Sequence, residues 1–454
     1  MISIAPWAVR AENLGDAFSE ALRVNSGLQA QQALTTSSGL NYKAAKSQRW
    51  PTVRTIGFDA FLTATPAVGT SSLKNSLGGT SGASNLLSSL PSSFPILGAG
   101  QRNLPVSLTT ASVPLYTGGR LLRNIDAKNA QVGVQRNEEA RTALDLKLTV
   151  AQAYIGVLRA QKSLEVAHSN VEQLGSFARD VRNRREQGLA IRNEELAAEV
   201  SLANAQISEL EAKTNLESAW ATYNRYLCRP LTQTTMLEEL TFFDPNTDWK
   251  ALATEAVKAT DTTADNDGEL REMTEQAFRV RPELAGLTDQ AKLYAAQADV
   301  TRANIRPQAS FNMSFIFLGS NNEIPQGIGA ATFYVDWTIT DSARTRREAA
   351  AQRQQELSAL RQRADTAADV ALQVRTRWLD LRLARRRVPV ARLAVSQSEE
   401  NIKVVSDRYR QQLSIYTEVL DAESRRIQSL NNYYNSIYDE SLAFFRLRRA
   451  VGDI

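Results

Sequence analysis

The sequence predicts a mainly α-helical, internally duplicated chain in which two long helical hairpins carry four amphipathic β-strands suited to a membrane barrel. Three observations predict it. The chain repeats itself at a fixed offset, each repeat holds a helical pattern too long for a globular domain, and each holds strands of alternating polarity. With 454 residues and 43% apolar content, the chain can bury a large core or several domains.

The duplication is read directly. A shift of 224 residues pairs Arg120 with Arg344, Arg123 with Arg347, Asp145 with Asp369, Tyr154 with Trp378 and Arg184 with Arg408 without a gap. The register survives a turn, where Gly188-Leu-Ala-Ile-Arg-Asn-Glu194 faces Gln412-Leu-Ser-Ile-Tyr-Thr-Glu418. Upstream the offset becomes 256, and Trp50-Pro51 meets Arg306-Pro307. The difference of 32 marks an insertion in the first half, where Gly69 to Gly100 carries six Gly and nine Ser. Such composition cannot bury a core and reads as a flexible surface loop.

These offsets divide the chain. Residues 1–11 end in Val9-Arg10-Ala11, like the tail of a clipped signal peptide, but lack a basic start and enough apolar length, so export is left open. Residues 12–228 form the first repeat, with strands at about 52–63 and 105–117, the loop at 66–104 and a helical hairpin over 120–228. Residues 229–280, with Pro230, Pro245 and the polar run Asp261 to Gly268, read as an irregular linker or small extra layer. Residues 281–454 form the second repeat, with strands at about 308–318 and 329–340 and a hairpin over 344–452.

Each element has a local cause. An unbroken helix from Arg120 to Gly188 would be on the order of 100 Å long, a length suited to coiled coils, spans and barrel staves. After the turn, Leu196, Val200, Ala203, Ile207 and Leu210 form one heptad seam. A second, with Leu202, Ala205, Ala212, Leu216, Ala219, Tyr223 and Tyr226, runs on nearly the opposite face. Two seams mean a neighbour on each side, as in a ring or sheet of helices; a buried helix of a large bundle is the plainer alternative. In the strands, Ala309, Phe311, Met313, Phe315 and Phe317 alternate with polar residues, as do Ala331, Phe333, Val335, Trp337 and Ile339. Ile56, Phe58, Ala60 and Leu62 supply the same alternation in the first half, interrupted by Phe61.

No run approaches the roughly 18 to 20 apolar residues of a spanning helix. The hairpins have no second sheet in sequence to cover their apolar faces, so lipid is the expected cover. Four strands cannot close a barrel and open edges are not tolerated in lipid, so the chain must oligomerise. Two copies give eight strands and three give twelve; sequence alone does not choose.

Several functions are excluded. Lys and Arg at 53 against Asp and Glu at 49 give a net charge of only +4, no case for nucleic-acid binding. One cysteine, Cys228, and one histidine, His168, cannot make a disulfide framework or an ordinary zinc site, and both read as structural residues, Cys228 as simple packing. No phosphate loop, nucleophile elbow or HExxH occurs, so no enzyme, metal or cofactor is indicated.

From about Asn13 to Gly452 this arrangement resembles the TolC-like outer-membrane efflux protein family. The residues carrying the likeness are Val113-Pro-Leu-Tyr-Thr-Gly-Gly-Arg120, Gln187-Gly188-Leu189, Arg281-Pro-Glu-Leu284, Val419-Leu-Asp-Ala422 and Leu447-Arg-Arg-Ala-Val-Gly452. The resemblance implies a homotrimer with a twelve-stranded outer-membrane barrel and an α-helical periplasmic tunnel. It implies a passive duct for efflux or type I secretion, served by a periplasmic adaptor and an inner-membrane transporter of RND, ABC or MFS type. The competing expectation is a soluble or surface coiled-coil scaffold, which the apolar strands oppose. Gln412 and Ser342-Ala343 depart from the pattern by replacing glycines, which predicts a less sharp second turn or a different φ at Leu413.

The resemblance makes Gly188, Leu189, Glu194, Gln412, Leu413 and Glu418 the periplasmic tip, where the tunnel closes and meets its adaptor. Glu194 and Glu418 would form a carboxylate ring in a trimer, or serve only the dipoles of their helices; the two readings are compatible. Pro389, with Glu165 at the equivalent place, is the expected kink and hinge. Phe311, Phe315, Phe333 and Trp337 are the expected lipid-facing residues, and Arg344, Arg346 and Arg347 the basic rim of the barrel.

Overall fold

The computed structural model describes residues 11–61, 103–240, 254, 263–318 and 327–454. The predicted loop at 66–104 lies almost wholly outside them, as do residues 1–10 of the N-terminal segment. The chain divides into two compact units, one of Ser38–Val132 with Gln290–Ser358, the other of the stretch ending at Ser37 with Gly133–Asp289 and Ala359–Ile454.

The elements follow the duplicated sequence. α1 (Leu14–Val24) and α2 (Ser26–Ser47) precede strands β1 (Thr52–Phe61) and β2 (Asn103–Tyr116); α3 (Arg120–Glu186) and α4 (Arg192–Tyr226) follow. α5 (Thr263–Val280) and α6 (Pro282–Ala303) lead to β3 (Gln308–Leu318) and β4 (Gly327–Asp336), then α7 (Arg344–Arg410) and α8 (Tyr416–Val451). α3 and α7 are 67 residues each, and α7 continues through Pro389. No helix among the described residues is long and apolar enough to cross a membrane.

The first unit is built on one antiparallel sheet in the order β1-β2-β3-β4. Its middle ladder, β2 on β3, joins the two repeats. β1 and β3 each begin directly after a proline, Pro51 and Pro307, which cannot donate to a ladder. β4 ends at Asp336, earlier than the sequence pattern suggests, so Trp337 and Ile339 lie just beyond it, exposed at 57% and 80%.

Register fixes the two faces of the sheet. Val53–Ala111–Met313–Ala331 and Val113–Phe311–Phe333 lie on one, where Met313, Phe315, Phe317, Phe333 and Val335 are exposed. Arg54–Thr110–Ser314–Ala330 lies on the other. Ser314 is 4% exposed there although no second layer covers it among the described residues, so the sheet curls toward this polar side. Ile56 and Phe58 sit on the concave polar side, not with the Phe311 set: Ile56 pairs with Leu108, Leu108 with Ile316 and Ile316 with Ile328. Alternation along β1 identifies an apolar side but not which face of the sheet it joins, and register decides that.

The second unit is helical. Its largest core gathers Val150, Tyr154, Val157, Leu158, Trp220, Tyr223 and Tyr438, with the Tyr154 and Tyr223 rings 5.9 Å apart, edge to face. The backbone at Glu12 pairs with Met236 and Glu238, and the Glu12 carboxylate binds Arg229 at 2.9 Å, tying the start of the described chain beside α4. Within the span expected to be an irregular linker, α5 starts at Thr263, inside the polar run. Leu270, Met273 and Ala277 recur at helical spacing and pack on Val370, Val374, Trp378 and Leu447. Cys228 is exposed rather than packed, at φ +53° just past α4, with its Sγ near the Val24 carbonyl.

The two seams of α4 separate. Ala205, Ala212 and Tyr223 are buried within the chain, whereas Leu196, Val200, Ile207 and Leu210 are 47%, 61%, 54% and 65% exposed. One face of the hairpin is thus filled and the other uncovered.

Candidate functional site

The residues singled out at the hairpin turns come together within the helical unit. In the first turn Gly188 takes φ +76°, its amide donates to Arg185, and the Leu189 amide reaches back to the Arg184 carbonyl at 2.8 Å. This closes the C-terminus of α3 in the manner of a Schellman cap. In the second turn Gln412 takes φ +63°, its amide donates to Tyr409, and the Leu413 amide reaches the Arg408 carbonyl at 2.8 Å. The second turn is therefore as sharp as the first, contrary to expectation, because glutamine adopts the left-handed conformation itself, as do Ser342 and Ala343 where the first repeat has Gly118-Gly119. A side chain there costs about 1 kcal/mol, which the closing bonds outweigh.

Leu189, Ile191, Leu413 and Ile415 project from the two turns at 56% to 64% exposure, an apolar tip with no cover among the described residues. Glu194 is half-buried near Tyr409, and Glu418 is exposed and accepts a hydrogen bond from Ser414. Both stand in the first turn of their helices, where a carboxylate suits the macrodipole.

The tip also contains groups that sequence reasoning passed over. Glu195, 8% exposed, is paired with Arg185 and lies 3.7 Å from Arg182, while Arg182 reaches Glu199 at 2.8 Å. At the equivalent places the second hairpin has Tyr409 for Arg185, Tyr416 for Arg192 and Val419 for Glu195. The Tyr409 and Tyr416 rings pack 5.8 Å apart. Neither hydroxyl finds a hydrogen-bond partner among the described residues, and burial pushes both phenols up in pKa, Tyr416 to about 12. One turn is held by ions and the other by an aromatic pair. The repeat offset, read for differences instead of matches, carries that signal.

Arg184 joins the two. Its guanidinium donates to the carbonyls of Tyr409 and Arg410 at 3.2 and 3.1 Å and stacks 4.8 Å from the Tyr409 ring. Those carbonyls end α7, where that of Tyr409 also accepts from the Gln412 amide, so Arg184 of the first hairpin adds a side-chain cap to the helix of the second. Its repeat mate Arg408 makes only a long 3.4 Å contact to Leu413 within its own turn.

The remaining predicted residues lie elsewhere. Pro389 is buried within α7 and removes the donor that the Arg385 carbonyl would otherwise receive. Phe315 and Phe333 are exposed on the convex face of the sheet and Phe311 is half-buried there. Arg344, Arg346 and Arg347 are exposed in the first turn of α7, at the helix-joined end of the sheet, with Arg344 3.6 Å from Glu348.

Residues 17–227, almost the whole first repeat, match the family model described as Outer membrane efflux protein. Over those residues the chain is similar to the outer membrane efflux protein family. Compared by sequence with curated proteins, it matches none. Solved structures extend the likeness of fold to both repeats. The outer membrane protein VceC of Vibrio cholerae superposes with a TM-score of 0.73 at 13% identity, over 97% of this chain and 96% of that one. The CmeC outer membrane channel of Campylobacter jejuni gives 0.74 at 13%, over 97% and 86%. The MtrE outer membrane channel of Neisseria gonorrhoeae gives 0.70 at 14%, over 97% and 88%. These likenesses support a channel component of the outer membrane over a soluble coiled-coil scaffold, and the matching family is one of ducts and not of enzymes.

Proposed function

We propose that three copies of the chain build one passive exit duct. Three four-stranded sheets set side by side give a twelve-stranded barrel across the outer membrane, and the helical hairpins line a periplasmic passage ending at the turns. A periplasmic adaptor meets the turns, and an inner-membrane transporter of RND, ABC or MFS type supplies the energy. The observation that carries this reading is the uncovered seam Leu196, Val200, Ala203, Ile207 and Leu210 on α4. Covering what each large side chain of that seam still exposes contributes about 1–1.5 kcal/mol. The open edges of β1 and β4 point the same way, since each leaves a row of backbone groups that lipid cannot satisfy.

In this reading Gly188, Leu189, Glu194, Gln412, Leu413 and Glu418 form the closing end and the adaptor contact, and Pro389 is a hinge. Phe311, Phe315, Phe333 and Trp337 meet lipid tails, and Arg344, Arg346 and Arg347 meet headgroups. The test is the mass of the protein extracted in detergent from the outer-membrane fraction, by light scattering. A trimer is expected. A monomer or dimer there, or a trimer that Leu196→Glu with Ile207→Glu leaves intact, would refute the assignment of the seam.

A further inference from the structure

We infer that the duct selects among its cargoes inside the barrel, at the loop-joined end of its wall, through an apolar lining that disfavours charged solutes and favours solutes with apolar surface. The inference rests on the trimeric duct proposed above. The concave face of the sheet changes character along the strands. Toward the helix-joined end it presents Arg54–Thr110–Ser314 and Ser112–Asn312–Thr332, the polar surface of a water-filled pore. Toward the other end Ile56–Leu108–Ile316–Ile328 crosses all four strands as one aliphatic row, and Phe58 paired with Val106 extends it.

All four members of the row are half-buried on the curled side, while Val53, Met313 and Phe315 of the opposite face are exposed. The row therefore lines the wall and does not join the lipid-facing set. The convex face shows the converse change in the first hairpin, where Thr55, Gly57 and Asp59 follow Val53 toward the same end. That exchange of polarity leaves apolar surface where the pore should be wettest. Such surface weakens hydration of whatever passes, which costs a charged solute far more than an apolar one.

The experiment uses the full chain in intact cells, with the exposed Cys228 replaced by serine and a reporter thiol introduced as Asn312→Cys, on the concave face on the helix side of the row. Two maleimides of similar size, one sulfonated and one uncharged, are applied from outside, and the ratio of their rates is normalised to a free thiol in solution. The uncharged reagent is expected to gain about tenfold in the native lining and to lose that advantage in the Leu108→Thr, Ile316→Thr double variant. Threonine keeps the β-branched shape of Ile316 and suits a strand at position 108, and trimer mass by light scattering shows that the variant assembles. Equal ratios in the two trimeric backgrounds would overturn the lining, as would slow reaction of both reagents in both. Absence of a trimer in the parent would overturn the duct reading itself, so the two failures are told apart.

Discussion

Arg184 is where the structure makes its most direct quantitative demand. Its guanidinium holds the last two carbonyls of α7 and stacks on Tyr409, so one side chain links the hairpin that contains it to the other. A hydrogen bond from a cation contributes about 1.5–3 kcal/mol when desolvated, and roughly 1 kcal/mol is reasonable for each at this half-exposed position. Stacking adds about 0.5 kcal/mol. Removing all three interactions with Arg184→Ala should therefore shift the balance between joined and separated turns by about 2.5 kcal/mol, a factor of about sixty. Arg184→Lys, which can reach one carbonyl but not both in a planar fork, should recover part of it. Tyr409→Phe should be neutral, because the hydroxyl is buried without a partner and the ring is what Arg184 uses. The assay is the fraction of time that channels reconstituted in a planar bilayer spend in the conducting state. A wild-type fraction in Arg184→Ala, with the trimer intact, would refute the claim that this contact holds the tip together.

Three further outcomes are expected. Gln412→Gly relieves a left-handed backbone at φ +63° and should raise the thermal stability of the helical unit by about 0.5–1 kcal/mol, the lower figure reflecting the greater unfolded-state freedom of glycine; a lowered melting temperature would count against it. Burial pushes the Glu283 carboxyl up, but hydrogen bonds from Arg281 and Arg449 outweigh it and hold the group down at about 2. Because the folded pKa is depressed, its contribution of about 3 kcal/mol is complete above the unfolded value near 4.5 and is lost as pH falls through 2. Stability against pH should flatten across that window in Glu283→Gln. Pro389→Ala restores a donor to the Arg385 carbonyl and should straighten and stabilise α7 by up to about 3 kcal/mol; unchanged conductance in that variant would remove Pro389 as a hinge.

Periodicity and the repeat made most of this fold legible, and what they could not reveal has physical reasons. The offset of 224 places both turns, since a duplicated sequence must bend at duplicated points. The two seams of α4 were readable as heptads, but which of them the chain would fill from within was not, because Ala205 and Leu196 carry the same pattern. The face of Ile56 followed from register, a property of two strands that neither contains alone. Within the segment expected to be irregular, α5 was hidden because a polar, acidic beginning masks a helix whose apolar positions start only at Leu270. At the tip the bond between Arg185 and Glu195 crosses a turn, and matching the repeats for identity drew the eye away from it. The same comparison read for substitution, with Tyr409 facing Arg185 and Val419 facing Glu195, would have found it.

The ladder between β2 and β3 carries a consequence for descent and symmetry. Since β1 corresponds to β3 and β2 to β4, the junction made inside one chain is of the same kind as the one that β4 would make with β1 of a neighbour. A ring that would take six single repeats can then be closed by three duplicated chains, with every second boundary covalently tethered. Fusion releases the paired halves from the obligation to stay identical. That freedom is already visible in one half bearing Arg185 and Glu195 while the other bears Tyr409 and Val419, a division of labour that a perfect hexamer could not evolve.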